Sequence, residues 1–372
     1  MDLALTEEQE AIRATFRAFA EKEVRPLARE LDEEPRFPRE LFARAGELGL
    51  FAMRHPEPEG SGADVVSYVL AMEEIARGSL AVAAACAMQS LMGTTFVRRF
   101  AEGDVRRRLL APALRGEVIG TICMTEPEAG SDLMAITTRA AKRDGAWRLT
   151  GRKTWVTSAP VADMFTVFAR TGEKTLGIFL VERGASGLEV GRDIDKVGVR
   201  ASVTSEVFFE DTPATCALGD PLRGGAHLKE ILAEIRVMTA ALALGVARAA
   251  FEDALLYSGQ RHQFGKPIRA FQSVQAHLAD MAVDLEAARR LTLWAAWRSD
   301  QGLPNEQEAS MAKLFASEAA LRTCDHAARV LGSYGFSTDL PVQRYLRDVR
   351  FTLIGGGTSE ILRVTIAKGL TP

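Results

Sequence analysis

Residues 227–261 read HLKEILAEIRVMTAALALGVARAAFEDALLYSGQR, a long helical run that is apolar on most faces. A helix at the surface shows one apolar stripe, whereas one apolar nearly all round must be covered on several sides. This segment therefore requires other helices around it. Candidates follow on its C-terminal side: Val274, His277, Leu278, Met281 and Leu285 form a stripe at helical spacing, and NEQEASMAKLFASEAALRTCDHAARVLG (305–332) forms another.

The N-terminal stretch, 1–117, also has helical period. Thr6, followed by Glu7, Glu8 and Gln9, has the form of a capping box. Leu41, Phe42, Ala45 and Leu48 share one helical face after Phe37-Pro38, and Gly49 with the proline-rich 55–62 ends that helix. From 118 to 225 the period changes to short β-type runs: VIGTICMT, AWRLTG, MFTVFAR, TLGIFLVE, LEVGR and TSEVFFED. Turn residues such as Arg143-Asp144-Gly145 separate them. Six such strands predict a small antiparallel barrel or sandwich. The expected fold is α+β multidomain, with an N-terminal α-helical domain (1–117), a middle antiparallel β-barrel domain (118–225) and a C-terminal four-helix bundle (226–372). At 372 residues the chain has room for these at roughly 100–200 residues each.

Composition narrows the function classes. A net charge of −3 gives no global basic field for nucleic acid. Cys86, Cys123, Cys216 and Cys324 are far apart and form no C-x-x-C pair, which argues against a disulfide framework or zinc site and for a reducing, cytoplasmic setting. The five histidines are scattered, so no metal is expected. No apolar run is of signal-peptide or membrane-spanning type. No strand–GxGxxG–helix unit is present, which disfavours a Rossmann fold.

Four segments carry more specific information: CMTEPEAGSD (123–132), GRKTWVTSA (151–159), RHQFGKPIRAFQSVQ (261–275) and LGSYGFSTDLPVQRYLRDVRFTLIGGGTSEI (331–361). Together, in this order, they resemble the acyl-CoA dehydrogenase family of FAD flavoproteins, and the likeness covers essentially the whole chain. The resemblance implies an acyl-CoA substrate, FAD, a homotetramer and electron transfer to an electron-transferring flavoprotein. It also implies α,β-desaturation, with a base taking the α-proton while hydride leaves Cβ for flavin N5.

Residue by residue, the resemblance places Met124, Thr125, Gly130 and Ser131 against the flavin and pyrophosphate, with Ser131 and Arg236 also facing substrate. Trp155 lies against the flavin ring, and Thr157 bonds its N5 edge. Arg261, Gln263 and Phe264 reach FAD from a neighbouring subunit, with Ile268, Phe271 and Gln272 around the adenine end. Thr358 and Glu360 sit at a helix start, where free N–H groups favour anions. Arg329 and Ser333 occupy the stretch that meets the adenosine half, where the family often has glutamine and glycine.

The catalytic base departs from the family pattern. Most members keep a glutamate at the position of Gly356. A minority place it on a helix immediately before an arginine, here Arg236, but that position holds Ile235, and Glu234 comes one residue earlier. One position is a rotation of about 100° on an α-helix, so Glu234 serves as base only if the register slips, for instance at a π-bulge. Gly356 can still offer its backbone N–H to the thioester carbonyl, and its missing side chain widens the acyl pocket. Three readings stand: Glu234 as base, another carboxylate as base, or a flavin-binding acyl-thioester protein without efficient turnover. Oxidation of a carrier-protein-bound acyl group is a further variant.

Overall fold

A computed structural model of the chain describes residues 4–370; the outermost residues of the two helical regions drawn from sequence lie outside these. The first helix, α1 (Glu7–Phe19), opens with the expected capping box: Thr6 accepts from Gln9, and the Gln9 side chain accepts from the Thr6 N–H. It runs through a π-helical turn (Ala20–Val24) into α2 (Arg25–Glu33). Helix α3 (Arg39–Glu47) follows Pro38, and Leu41, Phe42 and Ala45 are buried in it. Helix α4 (Val65–Gly78) is capped by Asp64 and almost wholly buried. Next come α5 (Leu80–Ala87), a second π-helical segment (Met88–Gly93), α6 (Thr95–Phe100) and α7 (Gly103–Leu114). The stretch Leu80–Phe100 has the length and apolar content of a membrane span, but 89% of its most apolar window is buried inside the protein.

The middle region is one eight-stranded sheet. Its strands are β1 (Gly120–Cys123), β2 (Arg139–Arg143), β3 (Ala146–Thr157), β4 (Met164–Arg170), β5 (Leu176–Glu182), β6 (Leu188–Asp193), β7 (Thr204–Pro213) and β8 (Cys216–Ala217). The order is β6-β7-β3-β2-β4-β5-β8, with β1 beside β4. The sheet is mixed rather than purely antiparallel, because β4 pairs in parallel with both β1 and β2. Such pairings need crossovers between distant segments, which local period does not reveal. Where the sequence signals a tight turn, the β2–β3 hairpin closes through Asp144 and Gly145, both at positive φ.

The expected long helix is α8 (Gly224–Gln260), unbroken over 37 residues. It packs against α4, α9 (Gln272–Asp300) and α10 (Glu306–Leu331), so three neighbours cover its apolar faces. Alanine and glycine on α8 permit close approach. A Cβ on Gly245 would stand 2.4 Å from the Glu73 carbonyl oxygen and 2.5 Å from Ala76 Cβ. A short hairpin, β9 (His262–Gln263) and β10 (Lys266–Pro267), joins α8 to α9. The chain ends with α11 (Val342–Asp348), a 3-10 segment (Val349–Leu353), a glycine loop and α12 (Ser359–Leu370).

Ion pairs bind the two helical regions where α8 crosses α4. Arg248 on α8 reaches Glu73 at 2.7 Å and Glu74 at 2.5 Å, and Arg289 on α9 also reaches Glu73. Both glutamates are almost fully buried. Burial alone would raise the Glu74 carboxyl, but Arg248 and Arg17 outweigh it and hold its pKa below the usual range. Removing the shared cation leaves buried carboxylates under-compensated. Arg248→Met is expected to lower unfolding free energy at neutral pH by about 3–5 kcal/mol, measured by urea denaturation. An unchanged midpoint would show that the network carries little stability.

Candidate active site

The segment after β1 is fixed from below by one buried pair. Lys153, fully buried in β3, donates to the Met124 carbonyl at 2.9 Å and to Glu126 at 2.8 Å. Glu126 also accepts from Thr137 and from the Thr138 N–H. Burial would push the Glu126 carboxyl up, but Lys153, Thr138 and Thr137 together hold it at about 2. The Thr154 N–H donates to the Thr125 carbonyl at 2.9 Å, so Met124 and Thr125 lie beside β3 where Trp155 emerges.

Trp155 sits at an irregularity in the β3–β7 ladder, between the Lys153 and Val156 pairings, with φ +56°. A β-branched or bulky residue adopts positive φ only when its surroundings impose it. The result is a large aromatic ring 57% exposed. Thr157 is half-buried next to it, its carbonyl accepting from Thr121 at 2.5 Å. Gly130 and Ser131 are exposed on the loop, and a Cβ at Gly130 would meet nothing within 4 Å. An open aromatic ring flanked by a hydroxyl and a glycine loop suits a flat heterocycle with a phosphate tail.

The glycine loop forms the second part. Gly356 and Gly357 take φ +73° and +103°, and a Cβ on Gly356 would stand 2.8 Å from Thr239 Oγ1 and 3.5 Å from Ile235 Cγ2. Lys313 of α10, fully buried, donates to the Gly357 carbonyl at 2.6 Å. Beside it Arg236, 5% exposed, donates to Ser310 Oγ at 2.9 Å, while its Nε is buried without a partner. Thr358 caps α12 by accepting from Ile361 N, and Ser359 Oγ is buried and unpartnered. Glu360 is exposed in the first turn.

The structure gives Glu234 a different task from the one considered above. Helix α8 is α-helical throughout, with no π-bulge near 234; the π-helical turns lie at 20–24 and 88–93 instead. Glu234 turns away from the glycine loop and pairs with Arg54 at 2.7 Å, linking α8 to the segment between α3 and α4. Ile235, 4% exposed, is the residue of this pair on the Gly356 side, beside Thr239. The two positions at which the family resemblance looks for a base are thus neighbours in space, and neither bears a carboxylate.

The remaining cofactor candidates lie at the other end of α8. Arg261 follows its last turn and is exposed; Phe264, at φ +50°, is 92% exposed at the hairpin tip and meets Phe271 edge-on. Gln263 lies in the hairpin, Ile268 in the turn after it and Gln272 at the start of α9. Ser333 stands in the 3-10 turn after α10, next to Tyr334, whose ring lies 6.3 Å from Tyr257 of α8. Arg329 pairs with Asp325 at 2.8 Å. Arg236 and Arg261 are 25 helical residues apart, about 38 Å along the axis.

An all-round buried helix thus joins two helical regions to a β domain, with an open aromatic platform on the sheet and a positive-φ glycine loop against the helix. The chain belongs to the acyl-CoA dehydrogenase family: its N-terminal, middle and C-terminal domain models match residues 6–117, 121–212 and 223–371. A benzylmalonyl-CoA dehydrogenase of Aromatoleum aromaticum is 56% identical over 377 residues, covering 99% of each chain. The solved butyryl-CoA dehydrogenase of Megasphaera elsdenii superposes with TM-score 0.97 at 34% identity over the whole of both chains. PigA, solved with FAD and proline, superposes with TM-score 0.95 at 28% identity, covering 100% of this chain and 99% of that one. The protein is an FAD-dependent acyl-CoA dehydrogenase, an oxidoreductase of CH–CH groups.

Sequence reasoning passed over Lys153, Glu126, Lys313, Arg54 and Thr239. Lys313 had a legible signal, since it interrupts the small-residue face of Ala309, Ala312 and Ala316, where a charge is costly unless used. Burial lowers the Lys313 pKa to about 8. Between that value and the ordinary lysine range the unfolded chain holds the extra proton, so this residue costs less stability as pH rises. Its hydrogen bond to the Gly357 carbonyl is charge-assisted by the ammonium and weakens as that proton is lost around pH 8. Accordingly, kcat/KM should decline as pH rises through about 8. Lys313→Met should lose about 10²-fold in kcat/KM together with that limb of the profile; a retained limb would assign it to another group.

Proposed function

We propose that this enzyme oxidises a 2-carboxyacyl-CoA, a thioester of the benzylmalonyl type, and that loss of the 2-carboxyl as CO2 replaces proton abstraction. The observation that carries this reading is the nearness of Ile235 to Gly356, where a Cβ would stand 3.5 Å from Ile235 Cγ2: both base positions adjoin, and both are uncharged. A carboxylate at either would repel a carboxylate brought by the substrate. Their replacement by an apolar side chain and a glycine removes that repulsion and makes room.

The electron count closes without a base. Breaking the bond from Cα to the carboxyl releases CO2 and leaves the pair on Cα, conjugated with the thioester carbonyl. Bound FAD supplies the acceptor for hydride from Cβ, with one solvent proton completing its reduction. The pair on Cα then becomes the Cα=Cβ bond. Ile235 excludes water from the departing carboxylate, and a desolvated anion is driven towards neutral CO2. The Gly356 N–H faces the thioester oxygen in this reading, held by the Lys313 bond to Gly357 and assisted by the buried positive charge of Lys313 and Arg236. Glu234, committed to Arg54, takes no proton.

Trp155, Thr157, Met124, Thr125, Gly130, Ser131 and Thr358 would hold the flavin and pyrophosphate. The span of about 38 Å along α8 supports the assignment of Arg261, Gln263, Phe264, Ile268, Phe271, Gln272, Arg329 and Ser333 to the cofactor of a neighbouring copy. The site is then completed by oligomerisation, as a tetramer in the cytoplasm. An electron-transferring flavoprotein is the acceptor that family membership suggests.

In anaerobic mixing, benzylmalonyl-CoA is expected to bleach the flavin band, while acyl-CoAs lacking a 2-carboxyl should not. Glu234→Gln should leave the bleaching intact. Ile235→Glu should reverse the preference, gaining reduction by plain acyl-CoA and losing the malonyl-type substrate. Gly356→Glu is the poorer exchange, because of its positive φ and the contact with Thr239. Rapid bleaching of the wild type by plain acyl-CoA would overturn the reading.

A further inference from the structure

At the junction of α2, the turn after β6, and residues 338–347 lies a cavity of about 580 Å³, none of whose lining residues belongs to the site described above. Its walls carry six cationic side chains, Arg25, Arg29, Lys196, Arg200, Arg344 and Arg347, against Asp32, Glu33 and Asp339. Three of the cations are already matched: Arg25 pairs with Asp253, Arg29 with Glu33 and Arg347 with Asp32. The side chains of Lys196, Arg200 and Arg344 make no hydrogen bond or ion pair among the described residues.

Arg344 is the informative one. It is largely buried, at 6% relative exposure, it lines the cavity, and its guanidinium stands 5.5 Å from the centroid of the Tyr345 ring. The buried Asp348 carboxylate accepts the Val199 N–H at 2.6 Å and feels the positive charge of Arg344 without a hydrogen bond between them. A mostly buried guanidinium with no hydrogen-bond partner has donors left for an anion's oxygens. Two planar forks and one ammonium around a volume of small-molecule size suit phosphate oxygens.

We propose that this cavity binds a phosphorylated small molecule through Arg344, Arg200 and Lys196. Its walls come from the N-terminal helices, the sheet and the C-terminal region, so an occupant ties all three together and stabilises their arrangement. The proposal is independent of the substrate assigned above.

The test uses FAD-saturated enzyme without acyl-CoA, titrated with pyrophosphate, with ATP and with adenosine, following Tm and the flavin spectrum. Pyrophosphate should raise Tm saturably and leave the flavin spectrum unchanged. Tighter binding of ATP with none of adenosine would identify a nucleotide as the source of the phosphate, and equal binding an inorganic polyanion. Lys196 and Arg200 bond nothing, so Lys196→Gln/Arg200→Gln should fold and turn over normally while binding about tenfold or more weakly. Arg344→Gln should abolish binding, and Arg344→Lys should restore part of it. No saturable shift, the same shift with sodium chloride at equal ionic strength, or an undiminished shift in the double variant would overturn the proposal.

Discussion

Close burial of α8 on several sides is the constraint on which the rest depends. Because Gly245 and its alanine neighbours let α4 approach to backbone contact, the helix can be shared by the N-terminal and C-terminal regions. That sharing fixes the rotation of every residue along it. Ile235 and Thr239 are held towards the glycine loop, Arg236 towards Ser310, and Glu234 towards Arg54. An unbroken α-helix leaves no freedom to exchange these faces, so the chemistry is decided by which residue occupies which turn.

Buried charge then marks where the fold is doing more than packing. Lys153 with Glu126 is a closed pair: each satisfies the other, and the result is a fixed loop at Met124 and Thr125 beside Trp155. Lys313 and Arg236 are different. Each is buried with a neutral oxygen as its hydrogen-bond partner, the Gly357 carbonyl and the Ser310 hydroxyl, and the closest carboxylate, Glu306, stands 3.8 Å from Arg236 at the surface. Buried positive charge only partly compensated by carboxylates suits a place where negative charge develops. An enolate formed above the glycine loop meets that requirement whether it arises by deprotonation or by decarboxylation. The absent carboxylates at 235 and 356 favour the second route.

Much of this was legible in sequence. The switch of period from helix to strand and back gave the three-part order, Thr6 to Gln9 gave the first cap, and Arg143-Asp144-Gly145 gave a hairpin turn, because these are local effects. The parallel pairings of β4 were not legible, since they join segments separated by whole strands. Nor was the partner of Glu234: Arg54 lies 180 residues away in the chain, and nothing local to either residue announces the pair. The two π-helical turns were equally hidden, and the one considered for α8 does not form there. The gap at the base was readable from Gly356 and Ile235, but that these positions adjoin required the structure.

In the proposed reaction carbon–carbon cleavage, not proton removal, generates the α-carbanion. A single anaerobic turnover of benzylmalonyl-CoA carrying ¹³C in its free carboxyl tests it most directly. Labelled CO2 is expected in step with flavin reduction, one per flavin, with no label in the unsaturated product. Flavin reduction with the label retained in an unsaturated 2-carboxyacyl-CoA would contradict it, and would require a base that neither Ile235 nor Gly356 can provide.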